Sequence, residues 1–168
     1  MLDVRPCVDH GDRPAKSVVD EPFDVTATVF REGHDAVAAS VVLTDPDGAE
    51  SVLPMTCVNP GLSHWVREVS ADRPGWWSYR VEGWSDPWGT WLHDATVKID
   101  AGVDEELMLA EGVLVLERAL DVPGRSPGGR QLVRDALEAL TAPGDHSPRA
   151  RLHAASTPEL RTELEVTL

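Results

Sequence analysis

The chain has 168 residues, of which 42% are hydrophobic and 26% are charged, and its formal net charge at pH 7 is −14. A surface this acidic repels phosphate backbones, which argues against nucleic acid as a partner. No apolar run approaches the roughly 20 residues that a membrane helix needs, and the N-terminus lacks the features of a secretory signal. We therefore expect a soluble, cytoplasmic protein that has no membrane partner.

The first part of the chain has the composition of β-strands. Residues 23–30 alternate between apolar and polar positions, which is typical of a strand with one solvated face. The same reasoning predicts further strands over 36–43, 51–58, 64–70, 76–82 and 91–99. Clusters of Pro, Gly and Asp separate these runs, so we expect residues 1–102 to form an antiparallel, immunoglobulin-like β-sandwich of about seven to eight strands.

Helical spacing replaces the alternation after residue 102. Leu107, Ala110 and Leu114 follow a helical period, and the acidic residues 104–106 occupy a first turn, where the helix dipole favours negative charge. A second helix is predicted over 130–140, and two short helices are predicted to begin at Ser147-Pro148 and Thr157-Pro158. We expect residues 103–168 to form a small helical bundle. Its last helix carries no stop signal, so we expect the bundle to be truncated at its C-terminal end and Leu160, Leu164 and Val166 to need a partner surface.

The sequence contains no nucleophile motif, phosphate-binding loop or metal-ligand pattern. Asp86 and Asp94 are the one candidate glycosidase pair, because such enzymes use two carboxylates at a fixed separation. Asp86 precedes Pro87, however, which is ordinary turn chemistry. No catalytic residue, metal site or cofactor is therefore predicted.

All six tryptophans lie between residues 65 and 91. Flat aromatic rings stack on the apolar faces of sugars, so exposed tryptophans suggest a carbohydrate platform, whereas buried ones are ordinary core or interface residues. Trp76 and Trp77 are adjacent and should point in opposite directions from a strand, one of them into the core. The candidate residues for a substrate or interface contact, all expected in or beside a loop, are Trp84, Asp86, Trp88 and Trp91.

Several short segments together carry a family resemblance. They are FREGHDAVAA (30–39), DPDG (45–48), EGWSDPWGTWLHD (82–94), Lys98-Ile99 and the acidic segment 104–112. As a set they resemble the N-terminal region of the bacterial α-1,4-glucan:maltose-1-phosphate maltosyltransferases, of the glycoside hydrolase family 13 type. The resemblance implies a β-sandwich and an inserted helical bundle that precede a (β/α)₈ barrel, which holds the catalytic aspartate and glutamate. No position of this chain matches those catalytic residues.

The resemblance implies a parent enzyme that transfers maltosyl units, with retention, from α-maltose 1-phosphate to an α-glucan such as glycogen. This chain lacks the barrel and is expected to be inactive alone. Our main hypothesis is an accessory region that supports a homodimer and the surroundings of the active site. The alternative is a glucan-binding module that uses exposed tryptophans, and a third reading is a free-standing immunoglobulin-like interaction protein.

Overall fold

The computed structural model describes residues 1–142 and 146–167. The chain divides into two compact units. The first, the sheet unit, comprises Met1–Gly33 and Val37–Ser85, and the second, the helical unit, comprises His34–Ala36 and the chain from Asp86 onward. The main division therefore lies between Ser85 and Asp86, and not at residue 102 as the sequence predicted.

The sheet unit contains two antiparallel sheets, of four and three strands. Strand order is β1-β2-β6-β5 in the first sheet and β4-β3-β7 in the second. The strands are β1 (Leu2–Arg5), β2 (Phe23–Thr28), β3 (Val37–Thr44), β4 (Glu50–Pro54), β5 (Thr56–Asn59), β6 (His64–Val69) and β7 (Ser78–Ser85). Short 3₁₀ turns occur at Asp9–Gly11 and Pro60–Leu62. The prediction of antiparallel sheets in the first part of the chain is thus confirmed.

Both sheets contribute to one apolar core in the sheet unit. Val25 and Ala27 of β2 come from the four-stranded sheet, and Val41 of β3 and Val81 of β7 come from the three-stranded sheet. All four are buried, because alternate residues of a strand face the same side. This shared core gives the unit its sandwich-like character.

The chain passes from one sheet to the other at Met55. The sequence predicted one strand over 51–58, but the structure divides it into β4, which pairs with β3, and β5, which pairs with β6. Met55 lies between them in the chain and is buried. Its backbone N–H donates to the carbonyl of Ala39 at 2.9 Å. Because the apolar side chain and the backbone donor are both satisfied, the crossing costs little.

The helical unit contains five helices in the part of the chain that the structure describes. They are α1 (Pro87–Asp100), α2 (Glu105–Leu120), α3 (Pro127–Thr141), α4 (Pro148–Ala155) and α5 (Pro158–Thr167). None of these helices is long and apolar enough to cross a bilayer. The helices predicted to begin at Pro148 and Pro158 are confirmed, and the one predicted over 130–140 begins one turn earlier.

The strand predicted over 91–99 is wrong, because these residues belong to α1. Trp88, Trp91, Ala95 and Ile99 are buried, and their spacing of three and four residues places them on one helical face. The helix begins at Asp86, whose side chain caps it, with Pro87 in the first turn. The short segment His34–Ala36 also belongs to this unit, and Ala36 lies beside Gly89 in the first turn of α1.

Ala36 ties that short segment to the start of α1. Its carbonyl accepts a hydrogen bond from the backbone N–H of Asp86 at 2.9 Å. Its own N–H donates to the hydroxyl of Thr90 at 2.8 Å. Two backbone groups of the segment are therefore satisfied by the helical unit, which explains why 34–36 clusters with residues that follow it by some fifty positions in the chain.

The last helix finds its apolar partners inside the helical unit. Leu160 and Leu164 are buried in the same cluster as Leu109, Leu116 and Leu140. The partner surface that the sequence predicts for these two leucines is therefore supplied by the helical unit itself. The third residue of that expectation, Val166, has a side chain that lies outside the described residues.

A buried arginine joins the end of α2 to α5. The Arg125 side chain has 0% exposure, and its Nε donates to the carbonyl of Ala119 at 3.0 Å, near the C-terminus of α2. Its Nη1 lies 2.9 Å from Oε1 of Glu163, which is 20% exposed. The same carboxylate lies against Gly129 in the first turn of α3, where the helix dipole favours negative charge. This pair, which we call the Arg125–Glu163 link, connects the end of α2 to α5 through polar contacts and packs against the start of α3.

Candidate functional site

Two of the four predicted site residues lie at the junction of β7 and α1. Trp84 is on β7 and is partly exposed. Asp86 follows that strand, and its Oδ1 accepts a hydrogen bond from the backbone N–H of Gly89 at 2.8 Å. This bond satisfies one of the free donors in the first turn of α1. The Asp86 carboxylate thus has a structural partner.

The other two, Trp88 and Trp91, are not in a loop as predicted. They are 3% and 5% exposed on α1, and their ring centroids are 4.7 Å apart. The Trp91 Nε1 donates to the carbonyl of Met108 on α2 at 2.7 Å. Its ring also fills the space beside Gly112, where an added Cβ would lie 2.2 Å from Cζ2. Both rings are core residues of the helical unit, and neither is available for stacking at its surface.

A groove with a volume of about 980 Å³ is present in the sheet unit. Its aromatic lining residues are Phe23, Trp76, Trp77 and Tyr79. Trp76 is 79% exposed, the largest exposed fraction among the large apolar side chains of the described residues. The Tyr79 hydroxyl donates to the carbonyl of Pro6, and burial raises the pKa of that phenol. Concave, aromatic-lined sites of this size are where small ligands usually bind.

The neighbours of Trp76 hold its loop in place. The Trp77 Nε1 donates to the carbonyl of Arg73 at 3.1 Å, and the Arg73 guanidinium lies 5.7 Å from the centroid of the Trp77 ring, within cation–π range. Gly75 has φ of +148°, and a side chain there would meet Pro46 at 2.5 Å. Trp77 is partly buried, whereas its neighbour Trp76 faces solvent.

Arg73 also pairs with the turn between β3 and β4. Its Nη2 lies 2.7 Å from Oδ2 of Asp45 and 2.6 Å from Oδ2 of Asp47. The Asp45 Oδ1 accepts hydrogen bonds from the backbone N–H groups of Ala49 and Asp47. These bonds, led by the one from Ala49 and supported by Arg73, hold the pKa of Asp45 below its ordinary value of 3.8.

This depressed pKa predicts an acid-sensitive turn. The Asp45 carboxylate contributes stability in full above pH 3.8, and the contribution is lost as the pH falls below that value and the group protonates. Asp45→Asn should therefore lower the free energy of unfolding at about pH 7, and the difference from the wild type should shrink at about pH 3. Urea unfolding at both pH values measures it, and a difference that stays constant with pH would contradict the assignment.

Sequence reasoning identified the Trp76-Trp77 pair but not the groove. The expectation that one of the two rings points into the core from a strand is wrong, because both residues precede β7 and Trp77 is only partly buried. The groove depends on residues far apart in sequence, from Val4 to Tyr79, which no local pattern groups together. Within residues 1–142 and 146–167, no group of three or more His, Cys, Asp or Glu side chains is placed to hold a metal ion.

Comparison with known families gives a match over residues 1–167. The matching family is described as α-1,4-glucan:maltose-1-phosphate maltosyltransferase, domain N/S. The chain belongs to this family. The N-terminal resemblance that the sequence segments indicate is thereby confirmed.

Curated members of the maltosyltransferase family align with nearly all of this chain. Maltosyltransferase 1 of Streptomyces coelicolor is 51% identical over 164 residues, which is 95% of this chain and 24% of the relative. The enzyme of Arcanobacterium haemolyticum is 43% identical and covers 96% of this chain and 23% of its own length. The Mycobacterium tuberculosis enzyme is 39% identical over an alignment that covers 94% of this chain and 26% of the relative. The chain thus spans about a quarter of the length of the curated relatives that it matches.

Proposed function

We propose that this chain is the non-catalytic N-terminal region of an enzyme that transfers maltosyl units from α-maltose 1-phosphate to an α-1,4-glucan. The observation that carries the proposal is the family match over residues 1–167. The relatives are named maltosyltransferases, and most of their length lies outside the matched region. We assign catalysis to that remainder, as a (β/α)₈ barrel of the same polypeptide.

The topology of the sheet unit supports an immunoglobulin-like fold as part of this proposal. The order β1-β2-β6-β5 follows the A-B-E-D order of an immunoglobulin sheet, and β3 and β7 take the places of strands C and F. Strand G would follow β7, and this chain instead enters α1.

An exposed apolar stripe on α2 supports a role in homodimer formation. Leu107 and Leu114 are seven residues apart, which is two helical turns, and both are exposed. The buried side of the same helix is formed by Met108, Leu109 and Leu116. Apolar side chains that align on the outer face of a helix often mark a protein contact. Of the tryptophans first considered as interface anchors, only Trp84 is partly exposed.

The test compares the 168-residue chain with a longer protein that includes the barrel. The longer protein should release phosphate from α-maltose 1-phosphate when glycogen is present, and the 168-residue chain should release none. Light scattering should show a dimer of the longer protein, and the double substitution Leu107→Glu, Leu114→Glu should shift it toward monomer because it places charge in an apolar contact.

The matched control is the double substitution Leu62→Glu, Val52→Glu, which introduces the same two charges at exposed apolar residues of the sheet unit. This control should leave the dimer mass measured by light scattering unchanged. A longer protein that releases no phosphate contradicts the proposed activity. A dimer that survives the double substitution contradicts the proposed role of α2.

Glucan binding is a second candidate function, and the exposed Trp76 ring beside the groove favours it. The tryptophans that first suggested this function, Trp88 and Trp91, are buried. A glucan contact therefore has to be sought in the sheet unit and not in α1.

A further inference from the structure

We propose that the groove of the sheet unit binds a neutral α-glucan chain, with the indole of Trp76 as the stacking platform. The choice of an α-1,4-glucan as ligand rests on the proposed function. The chemical class, a neutral molecule with both hydroxyl groups and an apolar face, rests on the groove itself. Three features of the groove support it: the exposure of one ring, the rigidity of its loop, and the balance of charge around it.

The exposure of Trp76 has no structural explanation within the sheet unit. Indole is the largest apolar side chain, and 79% of this one faces solvent while its neighbour Trp77 is partly buried. Sugar rings present flat C–H faces that pack well on such a surface, as aromatic rings do on one another. A ring that is exposed beside a concave surface is positioned to form one side of a binding site.

The loop that carries Trp76 is held before any ligand arrives. The Trp77 indole bonds to the carbonyl of Arg73, and Arg73 is itself paired with Asp45 and Asp47. Gly75 packs directly on Pro46. Because these contacts fix the backbone on both sides of Trp76, little conformational entropy remains to be lost when a ligand binds.

The charges in the groove favour a neutral ligand over an anionic one. Three cationic side chains line it, but Arg73 is paired with the carboxylates of Asp45, Asp47 and Asp72, and Arg13 lies 2.9 Å from a carboxylate oxygen of Asp9. The third, Lys16, shares the lining with Asp24. No excess of positive charge is left to attract a phosphate in a chain of net charge −14. Paired polar groups of this kind can still exchange hydrogen bonds with sugar hydroxyls.

Maltoheptaose titrated into the ¹⁵N-labelled 168-residue chain tests the inference. The chain has six indole N–H signals, so a ligand on Trp76 should shift that signal selectively. Trp76→Ala should weaken the affinity by about tenfold or more, because stacking on a flat ring is the main apolar contact. The matched control is Phe30→Ala, which removes an exposed aromatic ring of the same unit outside the groove and should leave the affinity unchanged.

Three results would overturn the inference. They are no shift of any indole signal at about 10 mM maltoheptaose, an affinity that Trp76→Ala leaves unchanged, and tighter binding of α-maltose 1-phosphate than of maltose. If Trp76→Ala changes the oligomeric state and not the affinity, Trp76 is a protein contact and the inference fails. Phosphate release by the longer protein is measured separately. A groove that binds no glucan therefore does not contradict the proposed activity, and glucan binding without phosphate release contradicts only that activity.

Discussion

Trp91→Ala should lower the free energy of unfolding by about 3–5 kcal/mol, as large aromatic truncations in packed cores do. The Trp91 ring is buried between α1 and α2 and fills the space beside Gly112, so its removal leaves a cavity that the helices cannot close without moving. It also removes the hydrogen bond from Nε1 to the carbonyl of Met108. Chemical denaturation followed by circular dichroism measures the loss. A variant as stable as the wild type would contradict the core position of Trp91.

The neighbouring Trp88 provides a control that separates the hydrogen bond from the packing. Both rings are buried on the same helix, but the Trp88 Nε1 has no hydrogen-bond partner among the described residues. Replacement by phenylalanine removes a similar volume at either position. Trp91→Phe should therefore cost about 1 kcal/mol more than Trp88→Phe, which is the usual net value of one hydrogen bond. Equal losses would show that the bond to Met108 contributes nothing to stability.

Glu163→Ala should lower the free energy of unfolding by about 3–5 kcal/mol, because it leaves the fully buried guanidinium of Arg125 without its counter-ion. The effect follows from the asymmetry of the pair: the Arg125 side chain has 0% exposure, whereas Glu163 has 20%. The arginine cannot turn into water without breaking its bond to the carbonyl of Ala119. Urea unfolding of the variant and the wild type measures the difference.

The control for this prediction lies on the same helix. Glu165 pairs with Arg161 at 2.9 Å, but the two side chains are 37% and 66% exposed. Glu165→Ala makes the same chemical change on α5 and should alter stability by less than about 1 kcal/mol, because exposed ion pairs contribute little. If the two variants lose the same stability, burial does not distinguish the Arg125–Glu163 link from a surface pair.

Strands with clear alternation could be predicted from the sequence, because their pattern is local. The strand predicted over 36–43 is observed as β3, and that predicted over 64–70 is observed as β6. The strand over 51–58 was not separable into β4 and β5, since the switch at Met55 depends on which sheet each half joins. Pairing of that kind is a tertiary property, and a single run of residues does not encode it visibly.

The helix α1 was missed because its composition resembles that of a strand. Residues 88–99 contain tryptophan, threonine and valine, which favour strands, but the buried positions Trp88, Trp91, Ala95 and Ile99 follow a helical period. A local start signal was also present. Asp86-Pro87 combines a capping carboxylate with proline in the first turn, as Ser147-Pro148 and Thr157-Pro158 do with hydroxyls. Reading all three alike would have placed the helix correctly.

The polar links of the helical unit were beyond sequence reasoning. Arg125 lies in the Gly-rich and Pro-rich break between α2 and α3, where an arginine is normally exposed. Its burial depends on Glu163, which is 38 residues away in the chain. The groove depends in the same way on distant segments. The sequence could name Trp76 or Trp77 as an outward ring, but it could not show that a concave surface lies beside it.

The three-residue segment 34–36 makes the helical unit discontinuous, and this has a practical consequence for domain dissection. A piece expressed from Asp86 onward would lack the Ala36 carbonyl that accepts from Asp86 and the Ala36 amide that binds Thr90. The start of α1 would then fray in the isolated piece. A better design splices 34–36 ahead of Asp86 through a short linker. For the same reason, a recombination event between Ser85 and Asp86 would separate the helices from the segment 34–36 that belongs to their unit.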